Sequence, residues 1–512
     1  MQKLIHSYWF GPVVSGVLTF IAICQVNFWV NWVCYVPLFI SISKATPAAA
    51  FKKGLLFGAV LSFVAYFWMI PGAQRFTGGS MWYGVLVIAI SLLVMSLYHG
   101  GLLWFFSWVK NNNSQSRSTW KHAVLMACTV TVGEALLMIA TGGLPWFDEH
   151  SGSGLSDNLY SIQPAVFFGV PALTFVAVLV NYLAADSVTN KTWRKLYIPF
   201  AVIGVYMVSG AILLSGFSPQ TDAKPFAVAI LSENLPPELK WNDTNANELA
   251  QGLVDLNAAA ITLKPEMMLW SESGIPWTYK PDDALIREVI RITKPVGATH
   301  ILGINTAGDD KSVFNSAYYL SPDGQVGGRY DKQHLLAFIE RPVSGWIIPF
   351  LSSGGYFEKT NTAHAAPLST PYGKAGIMMC NESIIPAAAA SMVNDGAQFL
   401  LNMSNDGWFN NTYMVRVHFL RARLRAVETR KDLVINSNNG YCGLIKASGQ
   451  TESIKKSEEP FVEAVTVQPN NDVPLTCRLP NLFVYGCAGY LLITIIMKRY
   501  INYRIKATLP GS

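Results

Sequence analysis

Three short stretches hold residue types that could do chemistry together. "LWSESGIPW" brings Glu272 directly after an apolar run. "GGRYDKQHLLAFIE" carries Lys332 and, eight residues later, Glu340. "YGKAGIMMCNES" delivers Cys380, followed by Asn381 and Glu382. Singly, each has a bland reading: free cysteine is among the most buried residue types, and a loop Glu or Lys is usually a solvated charge. As a set they have a chemical logic. A nearby ammonium lowers the pKa of a thiol and makes it a nucleophile. A carboxylate can take the thiol proton and return it to a leaving group. The same ammonium places positive charge where an oxyanion develops on an attacked carbonyl. Glu, Lys and Cys thus specify acyl transfer through a thioester. His334 and His418 offer a Cys–His pair in principle, but read as polar surface or helix packing.

Other chemistries lack their signatures. The sequence has no G-x-S-x-G elbow, P-loop or dinucleotide fingerprint. Of the seven cysteines, Cys24, Cys34, Cys128 and Cys487 lie in apolar runs, while Cys442 and Cys477 join Cys380 in the polar part. No C-x-x-C pair indicates a zinc or redox site, and no metal or cofactor is expected. A net charge of +6 without basic clusters interleaved with aromatics gives no reason to expect nucleic acid.

The elements that position the three stretches divide in two. Only 14% of the residues are charged and 51% are hydrophobic, where soluble chains are near a quarter charged. Runs long enough to span a bilayer, roughly 20 apolar residues, are expected near 8–24, 26–43, 54–71, 82–108, 122–140, 163–184 and 196–215, with an eighth near 482–497. Lys3; Lys44, Lys52 and Lys53; Lys110, Arg117 and Lys121; Lys191, Arg194 and Lys195; and Lys498, Arg499, Arg504 and Lys506 all fall on alternate loops. By the positive-inside rule that side is cytoplasmic, with both termini, and the polar segment lies outside. The expected organisation is a seven-helix membrane domain over 1–220, an extracytoplasmic α/β domain over 221–478 and a last span with its tail over 479–512. Within the α/β part, "FAVAIL", "MMLW", "HILGIN", "AYYLS", "AGIMM", "FLLNMS" and "LVINS" read as strands. "DALIREVIRI" and "VRVHFLRARLRAVETR" read as amphipathic helices.

The order Glu–Lys–Cys with these flanks resembles the nitrilase (carbon–nitrogen hydrolase) superfamily, and the whole chain resembles its integral-membrane family, the apolipoprotein N-acyltransferases. "GGLPWF" (142–147) is similar to the family's G-F-P-W loop, and "QPAVFFGVPALTFVAVLVN" (163–181) to the span that follows it and ends in Asn. "NLPPELKW" (234–241), "SNDGWF" (404–409) and "RAVETRKDLVINSNNG" (425–440) resemble further family segments. There are departures: Trp270-Ser271-Glu272 where the family has W-P-E, Cys380-Asn381-Glu382 where it has C-Y-E, and "LLAFIE" where it has L-V-P-F-G-E.

The resemblance implies a fold, an eight-helix transmembrane bundle bearing a nitrilase-like αββα sandwich, and it implies roles. Cys380 would carry the acyl group, Glu272 would be general base, and Lys332 would stabilise the oxyanion. Glu340 and Glu382 would be supporting carboxylates, Asn381 would neighbour the nucleophile, and Trp241 would lie near the acyl chain. A phospholipid would donate its sn-1 chain and the N-terminal amine of a diacylglyceryl apolipoprotein would accept it, in a bacterial inner membrane, with the enzyme a monomer. Alternatives are a membrane-tethered amidase, an inactive lipid-binding paralogue and a transporter. The stretch 338–351, with Trp346, Ile347, Ile348 and Phe350, either dips into lipid or packs on its own domain.

Overall fold

The computed structural model describes all residues except 1–7, 73–80, 112–117, 143, 145–146, 148–149, 237–241, 243, 309–312, 338–339, 343–356, 358–364, 410–411 and 509–512. Trp241 and the apolar residues of 338–351 therefore lie outside the described residues.

The N-terminal part is helical: α1 (Phe10–Thr19), α2 (Val36–Ile42), α3 (Pro47–Tyr66), α4 (Met81–Asn111), α5 (Thr119–Ala140), α6 (Ala165–Thr189) and α7 (Tyr197–Ser215). Among the described residues six helices are long and apolar enough to cross a membrane: α3 to α6, the 193–215 segment containing α7, and the C-terminal Leu482–Tyr500. α3 starts cleanly because Pro47 sits in its first turn and the Thr46 hydroxyl accepts from Ala49 N–H. Gly54 and Gly58 let it press against the backbone of α4 at His99 and Met95, the close approach that small residues permit between apolar helices.

The first two expected spans take a different form. α1 continues only as a π-helical turn, Phe20–Cys24, and the second apolar run is broken into Phe28–Asn31 and α2. Val26 sits at a φ of 49° and Asn27 caps the short helix, accepting from Val30 N–H at 3.0 Å. Such a break frees backbone groups that hydrocarbon cannot satisfy. Asn181 of α6 takes them over: its Oδ1 accepts from Tyr35 N–H at 2.9 Å and its Nδ2 donates to Asn31 C=O at 2.9 Å. α6 itself kinks at Gly169 (φ 67°), just before Pro171. Glu134 of α5 is surrounded by polar partners. It accepts from Ser151 N–H and Oγ and from Thr174 Oγ1, and His150 Nδ1 lies 3.2 Å away.

The polar part contains β1 (Phe226–Ser232), α8 (Ala246–Ile261), β2 (Met267–Leu269), β3 (Ile275–Thr278), α9 (Ala284–Thr293), β4 (Thr299–Ala307), β5 (Val313–Leu320), β6 (Val326–Asp331), β7 (Leu368–Thr370), β8 (Gly373–Met379), α10 (Pro386–Asn394), β9 (Phe399–Asn405), α11 (Tyr413–Thr429), β10 (Leu433–Asn438), β11 (Tyr441–Ile445), β12 (Thr451–Lys456) and β13 (Phe461–Val467). α12 (Leu482–Thr508) follows. One sheet runs β13-β1-β2-β4-β5-β6, with β3 on β4, and the other β12-β11-β10-β9-β8-β7. The two share one apolar core, in which Phe226 of the first meets Phe399 of the second edge to face. α8 and α9 cover the first sheet through Leu253, Leu285, Ile286 and Val289, and α10 and α11 cover the second. The result is a four-layer α/β arrangement. The central strands are buried on both faces, which is why they read as unbroken apolar runs; β12, with Glu452, Lys455 and Lys456 among its six residues, carries no such signal.

α11 departs from expectation. An amphipathic helix was predicted over 415–430, yet every residue from Val417 to Thr429 is buried. Two of its arginines give their donors to surrounding carbonyls. Arg423 donates to Gly449, Ser156 and Asp157 carbonyls, and Arg425 donates to Ile384 C=O at 2.7 Å. Glu428 accepts from Val170 N–H at 3.0 Å, at the kink of α6. The helix is thus wedged between the second sheet and the membrane helices.

Asn181→Leu should strip partners from two buried backbone groups. We expect a loss of about 1–3 kcal/mol per group, read as a lower unfolding temperature in detergent; an unchanged midpoint would show that the break is held otherwise.

Candidate active site

Each strand end delivers one part of the site. β2 leads through Trp270 into the Ser271–Glu272 turn. Trp270 is fixed by its Nε1 donating to His300 Nδ1 at 3.2 Å. Gly303 of β4 lies so close to the Ser271 carbonyl that a side chain there would collide with it. β6 ends at Asp331, and Lys332 follows as a continuation of the ladder, its N–H bonded to Asn315 C=O at 2.9 Å. β8 ends at Met379, and Cys380 opens a tight 3-10 turn to Ile384 with a φ of 51°. A non-glycine residue held there stores strain, and such outliers cluster at functional sites.

The structure brings Glu272, Lys332 and Glu340 into direct contact. Lys332 Nζ donates to Glu272 Oε1 at 3.1 Å and to Glu340 Oε1 at 2.7 Å. Asn315 Nδ2 donates to Glu272 Oε1 at 2.8 Å, and Glu340 Oε2 accepts from Leu336 N–H at 2.8 Å. The ammonium is fully buried. Cys380 is half-buried, near enough for the charges of Glu272, Lys332 and Glu340 to act on its thiol.

Glu382 does a different job. Its two oxygens accept from Met379 N–H, Tyr330 OH, Gln333 N–H and His334 N–H, at 2.7–2.9 Å. It pins the Cys380 turn to the segment that carries Lys332. Asn381 adds a second tie, donating to His334 C=O at 3.1 Å.

Sequence reasoning missed Asn315, Tyr330 and Asp406, and placed His418 on the surface or in helix packing. His418 is buried beneath the Cys380 turn. Its Nδ1 lies 2.7 Å from Asp406 Oδ1 and its Nε2 3.1 Å from Cys380 C=O and from Ser383 Oγ. A carboxylate on one nitrogen and a carbonyl on the other both require N–H donors, so the ring fits best as an imidazolium. Burial disfavours that charge, but Asp406 outweighs it and the pKa is raised. The signal available was the "SNDGWF" stretch itself, which carries Asp406.

The electrostatics correct one expectation. The lysine does lower the Cys380 pKa, but burial and the charge of Glu272 raise it more, so the resting thiol sits well above its usual value. Burial likewise raises Glu272, against the pull of Lys332. Burial works against the Lys332 charge, yet Glu272 and Glu340 together hold its pKa well above the ordinary lysine value. The resting state is a protonated thiol, a buried ammonium and a carboxylate of enhanced basicity. That set suits attack concerted with proton transfer rather than a preformed thiolate.

Residues 232–454 match the family described as carbon-nitrogen hydrolase, and residues 15–183 the family described as apolipoprotein N-acyltransferase N-terminal domain. The chain belongs to the apolipoprotein N-acyltransferase family. A relative of that name from Geobacter metallireducens is 25% identical over 91% of both chains. Relatives of the same name from Chlorobaculum tepidum and Vibrio cholerae are 22% and 26% identical. Those alignments cover 98% of both chains in the first case, and 79% of this chain and 82% of the relative in the second. Both parts of the chain thus have family counterparts in one protein, which makes it a membrane protein with a carbon–nitrogen hydrolase domain.

Glu382→Gln replaces an oxygen with an amide that faces N–H donors. We expect about 1–3 kcal/mol lost for each donor left unpaired, seen as a lower unfolding temperature than that of Cys380→Ala, which leaves the clamp intact. Equal midpoints for the two variants would refute the clamp.

Proposed function

We infer that this chain is an apolipoprotein N-acyltransferase, moving the sn-1 acyl chain of a phospholipid to the N-terminal amine of a diacylglyceryl apolipoprotein. One observation carries the chemistry: a buried ammonium shared by two carboxylates beside a strained cysteine, on a turn held by a helix wedged against the membrane bundle. Relatives of full length bearing that name support the same reading.

In the first half-reaction Cys380 Sγ attacks the ester carbonyl carbon while its proton passes to Glu272. The Lys332 ammonium meets the charge that develops on the carbonyl oxygen, and Glu340 keeps Lys332 aimed and protonated. The C–O bond then breaks, Glu272 returns the proton to the departing glycerol oxygen, and lysophospholipid leaves. In the second half-reaction the amine attacks the thioester carbon and gives its proton to Glu272, which passes it to the leaving sulfur. Water competes poorly if the acceptor amine is held at the same membrane surface, since tethering raises its effective concentration. No cofactor is required.

The positive loops support an orientation with both termini cytoplasmic and the catalytic domain on the outer face of a bacterial inner membrane. In that arrangement the chain crosses eight times, with α1 and the broken second run forming the first two crossings, packed against α6. The enzyme works as a monomer, all of its reacting groups lying on one chain.

Purified protein given phospholipid and a diacylglyceryl peptide should yield a triacylated peptide, and intact mass should show an acyl adduct that Cys380→Ala and Cys380→Ser lack. An adduct persisting in either variant would move the nucleophile elsewhere. Because the Glu272 pKa is raised, the base is lost as pH falls through a value above the ordinary carboxylate range, about 4.3. The acidic limb of single-turnover acylation should therefore lie above that range. A rate constant down to pH 4 would exclude Glu272 as the base.

A further inference from the structure

α11 and the residue that ends it are unusually rich in cations, and all but one are matched. Arg416 pairs with Asp157 at 2.9 Å, His418 with Asp406, and Arg425 with Glu428 at 2.8 Å. Arg423 spends its donors on three carbonyls, and Arg430 donates to Gln163 and to Ala447 C=O. Arg421 is the exception. It is only 7% exposed, yet among the described residues it makes no hydrogen bond and no ion pair, and its Nε is shut off from solvent without a partner. A buried donor without a partner is costly, because nothing replaces the water that Nε has lost.

Its position says what fills the gap. Residues three and four apart share a helix face. His418, three residues before Arg421, reaches Cys380 C=O, and Arg425, four residues after, reaches Ile384 C=O. Arg421 therefore sits between them, alongside the nucleophile turn, within about one helical rise of 5.4 Å of the residue that touches Cys380. The same helix borders the membrane bundle through Glu428 and Val170. A guanidinium fork is matched to phosphate oxygens, which it binds by two parallel hydrogen bonds.

We propose that Arg421 binds the phosphodiester of the donor phospholipid while Cys380 attacks the ester on the same glycerol. This rests on the acyltransferase reading above and adds a basis for substrate order to it. Only the donor carries a phosphate; the diacylglyceryl group of the acceptor has none. Arg421 is thus satisfied in the first half-reaction and released with lysophospholipid, which clears the site for a lipid of the other kind.

The test compares two donors with identical acyl chains, phosphatidylglycerol and 1,2-diacylglycerol, presented to the full-length protein in mixed micelles. The readout is the rate of acyl adduct formation on Cys380 by intact mass. In the wild type phosphatidylglycerol should be preferred, and Arg421→Gln should cut that preference about 10- to 100-fold, the worth of hydrogen bonds to a charged group. Arg421→Lys, which keeps the charge and loses the fork, should retain part of it. An undiminished preference in Arg421→Gln overturns the proposal, as does an equal loss with both donors, which marks a structural role. Inorganic phosphate that competes with phosphatidylglycerol at low millimolar concentration in the wild type, and not in Arg421→Gln, assigns the site to the free ion and overturns the lipid assignment. If the wild type forms no adduct with either donor, it is the acyltransferase reading that fails.

Discussion

The catalytic domain is organised around one buried ammonium. Lys332 has no water to solvate it and survives as a cation only because Glu272 and Glu340 flank it at hydrogen-bond distance. Removing one partner from such a group leaves an uncompensated charge in the interior, which costs far more than the pair gains. The three residues come from three separate places in the chain, so this single requirement dictates that the end of β2, the end of β6 and the loop beyond β6 converge. The thiol is then placed against the assembly by the strained turn after β8, with Glu382 joining that turn to the lysine segment. Basicity and acidity follow from the burial: the same exclusion of water that endangers the lysine raises the pKa of the Glu272 carboxylate and of the Cys380 thiol.

The surrounding architecture answers to the same need for water-free precision. Two sheets sharing one apolar core give strand ends that diverge little, and the glycine of β4 allows the Glu272 turn to lie directly on its neighbour. On the membrane side, polar side chains take over where backbone cannot help itself. Asn181 satisfies a broken helix, and Ser151, Thr174 and His150 surround Glu134.

Much of this is legible in the amino acids. Cys380 and Glu272 stand out because each follows an apolar run that reads as a buried strand, whereas Lys332 follows the polar run GGRYD, an edge strand mostly open to solvent, and stands out only as the ammonium that the other two need. The β-strands of the core are readable for the same reason. The break in the second apolar run is not readable, because a helix apolar all round has no periodicity to lose when it stops at Asn31 and resumes at Val36. The burial of α11 is hidden too. Arginines at helical spacing read as a wet face, and nothing local says that a sheet lies on one side and a membrane bundle on the other. Glu382 is visible as a carboxylate near a thiol, but its work as an acceptor for four donors depends on Tyr330 and on backbone fifty residues away. Trp241 and residues 338–339 and 343–351 lie outside the described residues, and the roles read for them stand as expectations.

α11 has one more implication. A single rod of protein touches Cys380 at its N-terminal half, through His418, and the kink of a membrane helix at its C-terminal half, through Glu428. With the catalytic domain on the outer face as proposed above, the sulfur of Cys380 is thereby moored at a set height over the hydrocarbon, like a gauge on a fixed post. A lipid must rise by that height to present its ester. Bilayer thickness and headgroup crowding then become part of the energy barrier, and two cells with identical copies of this enzyme but different membranes would run it at different speeds.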